Sequence, residues 1–174
     1  RELITARGST WRNGAATLFR DRRSPDELTP LVSQLFLGIR LECAKCHHHP
    51  FEKWGQTDFF SFAAYFARLG RKGSGLSPPI SGGEEVIMTR ASGTVSHPLT
   101  GKVLPPRPLY GTAPELREGE DPRVALARWI TSKDNAYFSQ VAVNRVWADL
   151  MGRGLVEPVD DLRATNPPSN GPLL

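Results

Sequence analysis

The chain has 174 residues, enough for one domain or for one domain with part of another, and carries 22 Lys plus Arg against 18 Asp plus Glu for a formal net charge of +4. No apolar run is long enough to span a membrane and no positively charged, apolar leader is present. The basic clusters at Arg20–Arg23 and Arg68–Lys72 are not interleaved with aromatic residues, which argues against a nucleic-acid platform.

Arg1 opens the chain without an initiator Met, so the sequence reads as a fragment or a processed product. Arg1 to Arg23 is polar, with weak periodicity around Thr17-Leu18-Phe19. Ser24-Pro25-Asp26-Glu27 predicts a helix start, with Ser24 as cap, Pro25 at the first helical position and Glu27 closing a capping box. Leu28, Leu31, Val32, Leu35 and Ile39 recur at helical spacing, and the helix is expected to run into Leu41-Glu42-Cys43 and to stop before Pro50. A second helix is expected from a cap at Thr57 or Asp58, through Phe59, Phe62, Ala63 and Phe66, to a stop at Gly70. Arg71 to Ser81 is rich in Gly, Ser and Pro and reads as a mobile loop.

Glu85–Thr89 and Gly93–Ser96 predict short strands joined by a turn at Ala91-Ser92-Gly93. Val103 to Pro114 is too proline-rich for a helix or a central strand and reads as a linker or an extended wrap. Helical patterning returns at Asp121-Pro122, with Leu126, Trp129 and Ile130 on one face. A last helix carries Val143, Val146, Trp147, Leu150 and Met151 and ends at Gly152 or Gly154. Trp129, Trp147, Val143 and Leu150 form two apolar faces that should pack this pair against the preceding domain. The expected architecture is mainly α with a small β insert.

The two cysteines stand three positions apart in Cys43-Ala44-Lys45-Cys46-His47. Haem c attachment needs two thiols that can add to two vinyl groups and an imidazole that reaches iron. Positions i, i+3 and i+4 place Cys43, Cys46 and His47 on one face of a helical turn, which is the physical reason for the C-x-x-C-H pattern. Other readings stand beside this one. The cysteines and two of His47, His48, His49 and His97 could form a tetrahedral zinc site, with Cys43, Cys46, His47 and His49 as the set nearest in sequence, possibly hydrolytic. A thioredoxin-like dithiol is a further alternative, although no βαβ pattern surrounds it, and two thiols with a purely structural role are another.

A resemblance then enters. The stretch from Gln34 to Trp54, with Cys43-Ala44-Lys45-Cys46-His47-His48-His49-Pro50-Phe51 at its centre, resembles the central motif of large planctomycete cytochrome-c-like families of uncharacterised function, and the likeness continues through Gln56-Thr57-Asp58-Phe59-Phe60. Gly93 to Pro106, with His97-Pro98-Leu99-Thr100-Gly101-Lys102, resembles the end of that domain. Asp121 to Asn170, with Asn144-Arg145-Val146-Trp147 and Gly152-Arg153-Gly154-Leu155-Val156-Glu157-Pro158, resembles the start of its companion. The resemblance implies a haem-c-like helical domain over residues 1–115 and the beginning of a companion domain, a C-terminal helical pair, over residues 116–174. It also implies a periplasmic or envelope protein whose partners are an adjacent cytochrome module or another redox protein. A structural or carbohydrate-interacting surface module is the third class of reading.

If haem is present, His97 is expected as the second iron ligand by elimination, because the other three histidines are clustered at 47–49 and the competitors Met88 and Met151 fit a strand and a helix face. His49 is too close to His47 to cross to the opposite face of the haem, so a supporting role is expected of it. Trp54 could pack on the porphyrin edge or simply belong to an aromatic core. Asn144, Arg145, Glu157, Asp160, Asp161 and Arg163 form a polar set that could be catalytic or bind carbohydrate, but such residues more often bridge helix ends and turns.

Overall fold

The computed structural model describes residues 1–73 and 83–174. The structure corrects the mainly-α expectation, with its haem-c-like helical domain and C-terminal helical pair: the fold is mixed α/β, 40% helical and 10% strand in two small sheets. Helices are α1 (Glu2–Thr5), α2 (Pro25–Leu37), α3 (Gln56–Ala63), α4 (Pro122–Ile130) and α5 (Ala136–Met151). Strands are β1 (Gly8–Ser9), β2 (Leu69–Gly73), β3 (Glu85–Thr89), β4 (Val95–Ser96) and β5 (Val103–Leu104).

The error lies in where the strands come from. β3 is where the alternation placed it, but it is the central strand of an antiparallel sheet ordered β1-β3-β2. Its neighbours are drawn from the polar N-terminal stretch and from the segment around Gly70 that reads as a helix stop, with Gly8 opposite Ile87 and Arg71 also opposite Ile87 from the other side. The sheet therefore joins the start of the chain to its middle and is no insert. β4 pairs with β5 across the turn at 97–102 instead of with β3, so Val103–Leu104 is an edge strand inside the proline-rich stretch. Of the loop expected from Arg71 to Ser81, Arg71–Gly73 are strand and the remainder lies outside the described residues.

α2 begins as expected. Glu27 accepts the Ser24 amide at 2.9 Å and the capping box is complete. It ends earlier than periodicity suggests, because Gly38 takes a left-handed conformation (φ 65°) and turns the chain away. α3 is capped at Gly55, not at Thr57 or Asp58, with Asp58 accepting the Gly55 amide at 3.0 Å, and passes through a 3₁₀ turn at Ala64–Phe66 into β2.

Phe19, Leu28, Val32, Leu41, Trp54, Phe59, Phe62, Phe66, Ile87, Leu126, Trp129 and Ile130 belong to one buried cluster, so residues on both sides of the expected boundary at 115/116 share a core. Each fully buried phenylalanine there stabilises the fold by about 2 kcal/mol. The last two helices pack against the preceding elements, each on different ones: α4 on α1 and the 64–66 turn, and α5 on α2. Trp129 is buried as expected, but Val143, Val146, Leu150 and Met151 are exposed. α5 instead turns Val141 and Asn144 inward.

α4 is locked by a buried ion pair. Asp121 caps the helix, and Arg123, only 1% exposed, donates to its carboxylate at 2.8 Å and to the Ala6 carbonyl at 3.0 Å. Thr89 from β3 and Arg7 from the N-terminal segment donate to the same carboxylate, and the Arg123 guanidinium lies 5.0 Å over the Phe19 ring. Burial pushes the Asp121 carboxyl up, but hydrogen bonds from Arg123 and Thr89 and the Arg123 charge outweigh it and hold the group at about 2.

Candidate functional site

After Gly38 the chain runs through Ile39 and Leu41, both buried, and enters a 3₁₀ turn at Glu42–Lys45. Cys43 and Cys46 are free and exposed. The amides of Cys46 and His47 both point at the Cys43 carbonyl, at 3.3 and 3.2 Å, so the three motif residues occupy one tight turn. That turn is separate from α2, where periodicity expected a continuation of the helix. Ala44 is buried beneath it, which leaves the flanking thiols outward. Gln56, the first residue of α3, donates through Nε2 to the carbonyls of Lys45 and Cys46 at 3.0 and 3.1 Å. Lys45 is tied back to Asp26 of α2 at 2.8 Å. Burial works against ionisation of Asp26, yet hydrogen bonds from Lys45 and Ser24 hold its carboxyl below the usual value. The turn is thus fixed from two helices.

His47 is exposed, and its Nδ1 lies 2.6 Å from the His48 carbonyl oxygen. A carbonyl can only accept, so Nδ1 is the donor, and in the neutral ring Nε2 is the nitrogen left for a metal. His49 closes the loop: its amide donates to the Trp54 carbonyl at 2.8 Å, and its Nδ1 accepts the Phe51 amide at 3.2 Å. His48 is exposed beside Gly55. Trp54 is a buried member of the main core.

Beside Cys43 lies a cleft of about 290 Å³, with Ile39, Arg40, His49, Phe51, Leu162 and Arg163 in its walls. It is lined mostly by apolar surface from two distant parts of the chain. The Leu162 amide donates to the Gly38 carbonyl at 2.8 Å, the Ala164 amide to Glu52 at 3.0 Å, and Arg40 pairs with Asp160 at 2.8 Å. Arg163 lies 5.2 Å over the Phe51 ring and pairs with Asp161 at 3.2 Å.

The remaining sequence-selected residues stand elsewhere. His97 is half-buried in the β4–β5 turn, where its Nδ1 accepts the Leu99 amide at 3.3 Å and its ring lies 6.3 Å from Phe60. Met88 sits on β3 opposite Gly70, and Met151 ends α5 on its exposed side. None of the three lines the cleft beside Cys43, and neither do Cys46 and His47. Among the described residues, no group of three or more His, Cys, Asp or Glu is arranged to hold a metal ion. The polar set of the C-terminal segment bridges turns: fully buried Asn144 donates to the carbonyls of Val156 and Val159 and accepts the amides of Leu155 and Val156, while Glu157 accepts the Gly154 amide.

Sequence reasoning missed the contribution of Gly38, Ile39 and Leu162 to this cleft. A glycine directly after a helical apolar run was the available signal for the first. Nothing local marks Leu162, whose partner lies 124 positions away.

Two family models match the chain. Residues 5–71 match PSCyt2, a protein of unknown function (DUF1549), and residues 122–174 match PSD1, a protein of unknown function (DUF1553). Both are planctomycete-type uncharacterised domains, which is the level at which the resemblance read from the motifs is shown; neither description assigns haem. No curated protein and no solved structure matches the chain. The thiol turn lies within the first matched segment and the Asp161–Arg163 wall of the cleft within the second. No helix among the described residues is long and apolar enough to cross a membrane.

Proposed function

We propose that this chain carries haem c, joined to Cys43 and Cys46 with His47 Nε2 as axial ligand, and serves one-electron transfer in a protein of the cell envelope. The observation that carries the reading is the motif turn itself: two free, outward thiols and, next to them, an imidazole whose Nδ1 is held by a carbonyl while Nε2 stays open. Orientation of a ligating histidine through its other ring nitrogen is a recurrent feature of metal sites.

The residues fit the group. Each thiol would add across a vinyl double bond, sulfur to one carbon and hydrogen to the other, so attachment needs no oxidant. The cleft of about 290 Å³ takes only Cys43 of the three motif residues into its walls, so a porphyrin held at the turn would be largely exposed. Bound there, haem would supply a reversible one-electron couple. Attachment of haem c takes place after export, which agrees with an envelope location and with an adjacent cytochrome module or another redox protein as partner.

The zinc alternative on Cys43, Cys46, His47 and His49 has less geometric support. His49 spends its Nδ1 lone pair on the Phe51 amide, which in the neutral ring puts the proton on Nε2, and no preformed cluster of ligands is present among the described residues. Production of the chain with haem-maturation machinery, followed by a reduced-minus-oxidised visible spectrum, separates the two. Sharp c-type bands support the proposal. Stoichiometric zinc without such bands overturns it.

A further inference from the structure

We infer that Gln56 is the positioning residue for His47: it holds the backbone of the attachment turn so that the imidazole is offered to the iron in one orientation, and it thereby tunes the reduction potential. This inference rests on the haem reading above. Gln56, the first residue of α3, donates through Nε2 to the Lys45 and Cys46 carbonyls at 3.0 and 3.1 Å. Those carbonyls belong to successive peptide planes whose amides, on Cys46 and His47, both donate to the Cys43 carbonyl at 3.3 and 3.2 Å. Each plane is therefore held at both of its polar ends, by Gln56 on one side and by the backbone of Cys43 on the other.

The chemistry calls for an amide at this place. The last carbonyls of a helical turn have no partner within it, and a carbonyl only accepts. A primary amide nitrogen carries two N–H groups, so one side chain serves both. Gln56 is half-buried, and its helix is anchored by fully buried Phe59 and Phe62 and by Asp58, which accepts the Gly55 amide. The turn is thereby fixed to the core. The Lys45–Asp26 ion pair reaches the turn only through the Lys45 side chain. The His47 ring is held in turn by its Nδ1, 2.6 Å from the His48 carbonyl oxygen. Groups that orient a ligating imidazole tune the metal it binds, and because imidazole favours ferric iron, a looser His47 raises the potential.

The test uses the full chain. Gln56→Met keeps the length and neutrality of the side chain without its donors. Gln56→Glu replaces the donors with an acceptor, and its charge suits the first turn of α3, so the helix is retained. Gln56→Lys restores donors. In the haem-free chain, amide exchange at Cys46 and His47 should rise about tenfold in Gln56→Met and Gln56→Glu, return towards the parental rate in Gln56→Lys, and stay parental at Val32 and Phe62. With haem attached, Gln56→Met should favour the ferrous state about tenfold more than the parent does, a rise in midpoint potential of about 59 mV for one electron, with the melting temperature retained within a few degrees. Parental exchange at both amides, or a parental potential in haem-loaded Gln56→Met, overturns the inference while the haem reading stands. Exchange that rises equally at Val32 assigns Gln56 a general structural role and overturns it too. A parent chain that takes up no haem from working maturation machinery fails the haem reading, and the inference falls with it.

Discussion

Leu162 sits directly against Gly38: its amide donates to the Gly38 carbonyl at 2.8 Å, and a Cβ added at Gly38 would lie 2.8 Å from Leu162 Cγ. Left-handed Gly38 ends α2 and turns the chain towards the thiols, and its contact with Leu162 docks the C-terminal segment there. Gly38→Ala therefore meets both left-handed strain and a clash, and should destabilise the fold by about 2 to 3 kcal/mol in urea unfolding. Combining it with Leu162→Ala relieves the clash alone, so the double variant should be less destabilised than the sum of the singles by about 1 kcal/mol. Strict additivity would show that the two residues do not meet.

The Asp121–Arg123 pair predicts a specific acid response. The Asp121 carboxyl sits at about 2, below its ordinary value of 3.8, so the folded state binds its proton less readily than the unfolded state. Its contribution is complete above about pH 4 and is lost as pH falls through about 2, amounting to roughly 2 kcal/mol. Asp121→Asn should lower stability at neutral pH and flatten the pH dependence within that window. A variant whose stability falls as steeply as the parent's between pH 4 and 2 would assign the acid response to other carboxylates.

Asn144 makes four hydrogen bonds to the backbone of residues 155–159 from a fully buried position. Asn144→Ala leaves several of those groups without partners and should cost about 2 to 3 kcal/mol. The loss should be localised, with amide exchange rising first at Leu155, Val156 and Leu162. Uniform acceleration across α2 and α3 would contradict a local role.

What could be read in the sequence followed from short-range physics. The Ser24–Glu27 box, the Asp121 cap, the Gly152 stop and β3 all depend on neighbours within a few positions, and all stand where local patterning puts them. The spacing of Cys43, Cys46 and His47 brings them to one turn, but that turn is a separate 3₁₀ element after Gly38 where periodicity carries the helix on. β1 and β2 were not legible, because two residues at Gly8–Ser9 and a glycine-containing run at Leu69–Gly73 become strands only through pairing with β3. The exposed side of α5 misled in the opposite direction: Val143, Val146 and Leu150 have helical spacing, but the inward face is set by Val141 and by Asn144, whose polar side chain gives no hydrophobic signal. The cleft wall from Asp161 to Arg163 was invisible because the contacts that dock it and its neighbours on residues 38–52 join positions more than 100 apart.

His97 provides a separate test of the site. Its Nδ1 accepts the Leu99 amide, which in the neutral ring puts the proton on Nε2. The haem-loaded protein should therefore show a ferric spectrum with an open or water-bound sixth position, unchanged in His97→Ala. A low-spin parent spectrum that becomes high-spin in His97→Ala would place His97 on the iron, as elimination among the histidines suggests.

Covalent attachment at the motif turn is the central claim, and intact mass under denaturing conditions tests it most directly. Chain produced with working haem-maturation machinery should gain the mass of one haem, with the label mapping to the peptide containing Cys43 and Cys46. Cys43→Ala combined with Cys46→Ala should abolish the gain while the fold is retained, since both side chains are exposed. An unmodified parent mass in material from cells that correctly mature a control c-type cytochrome would contradict the account.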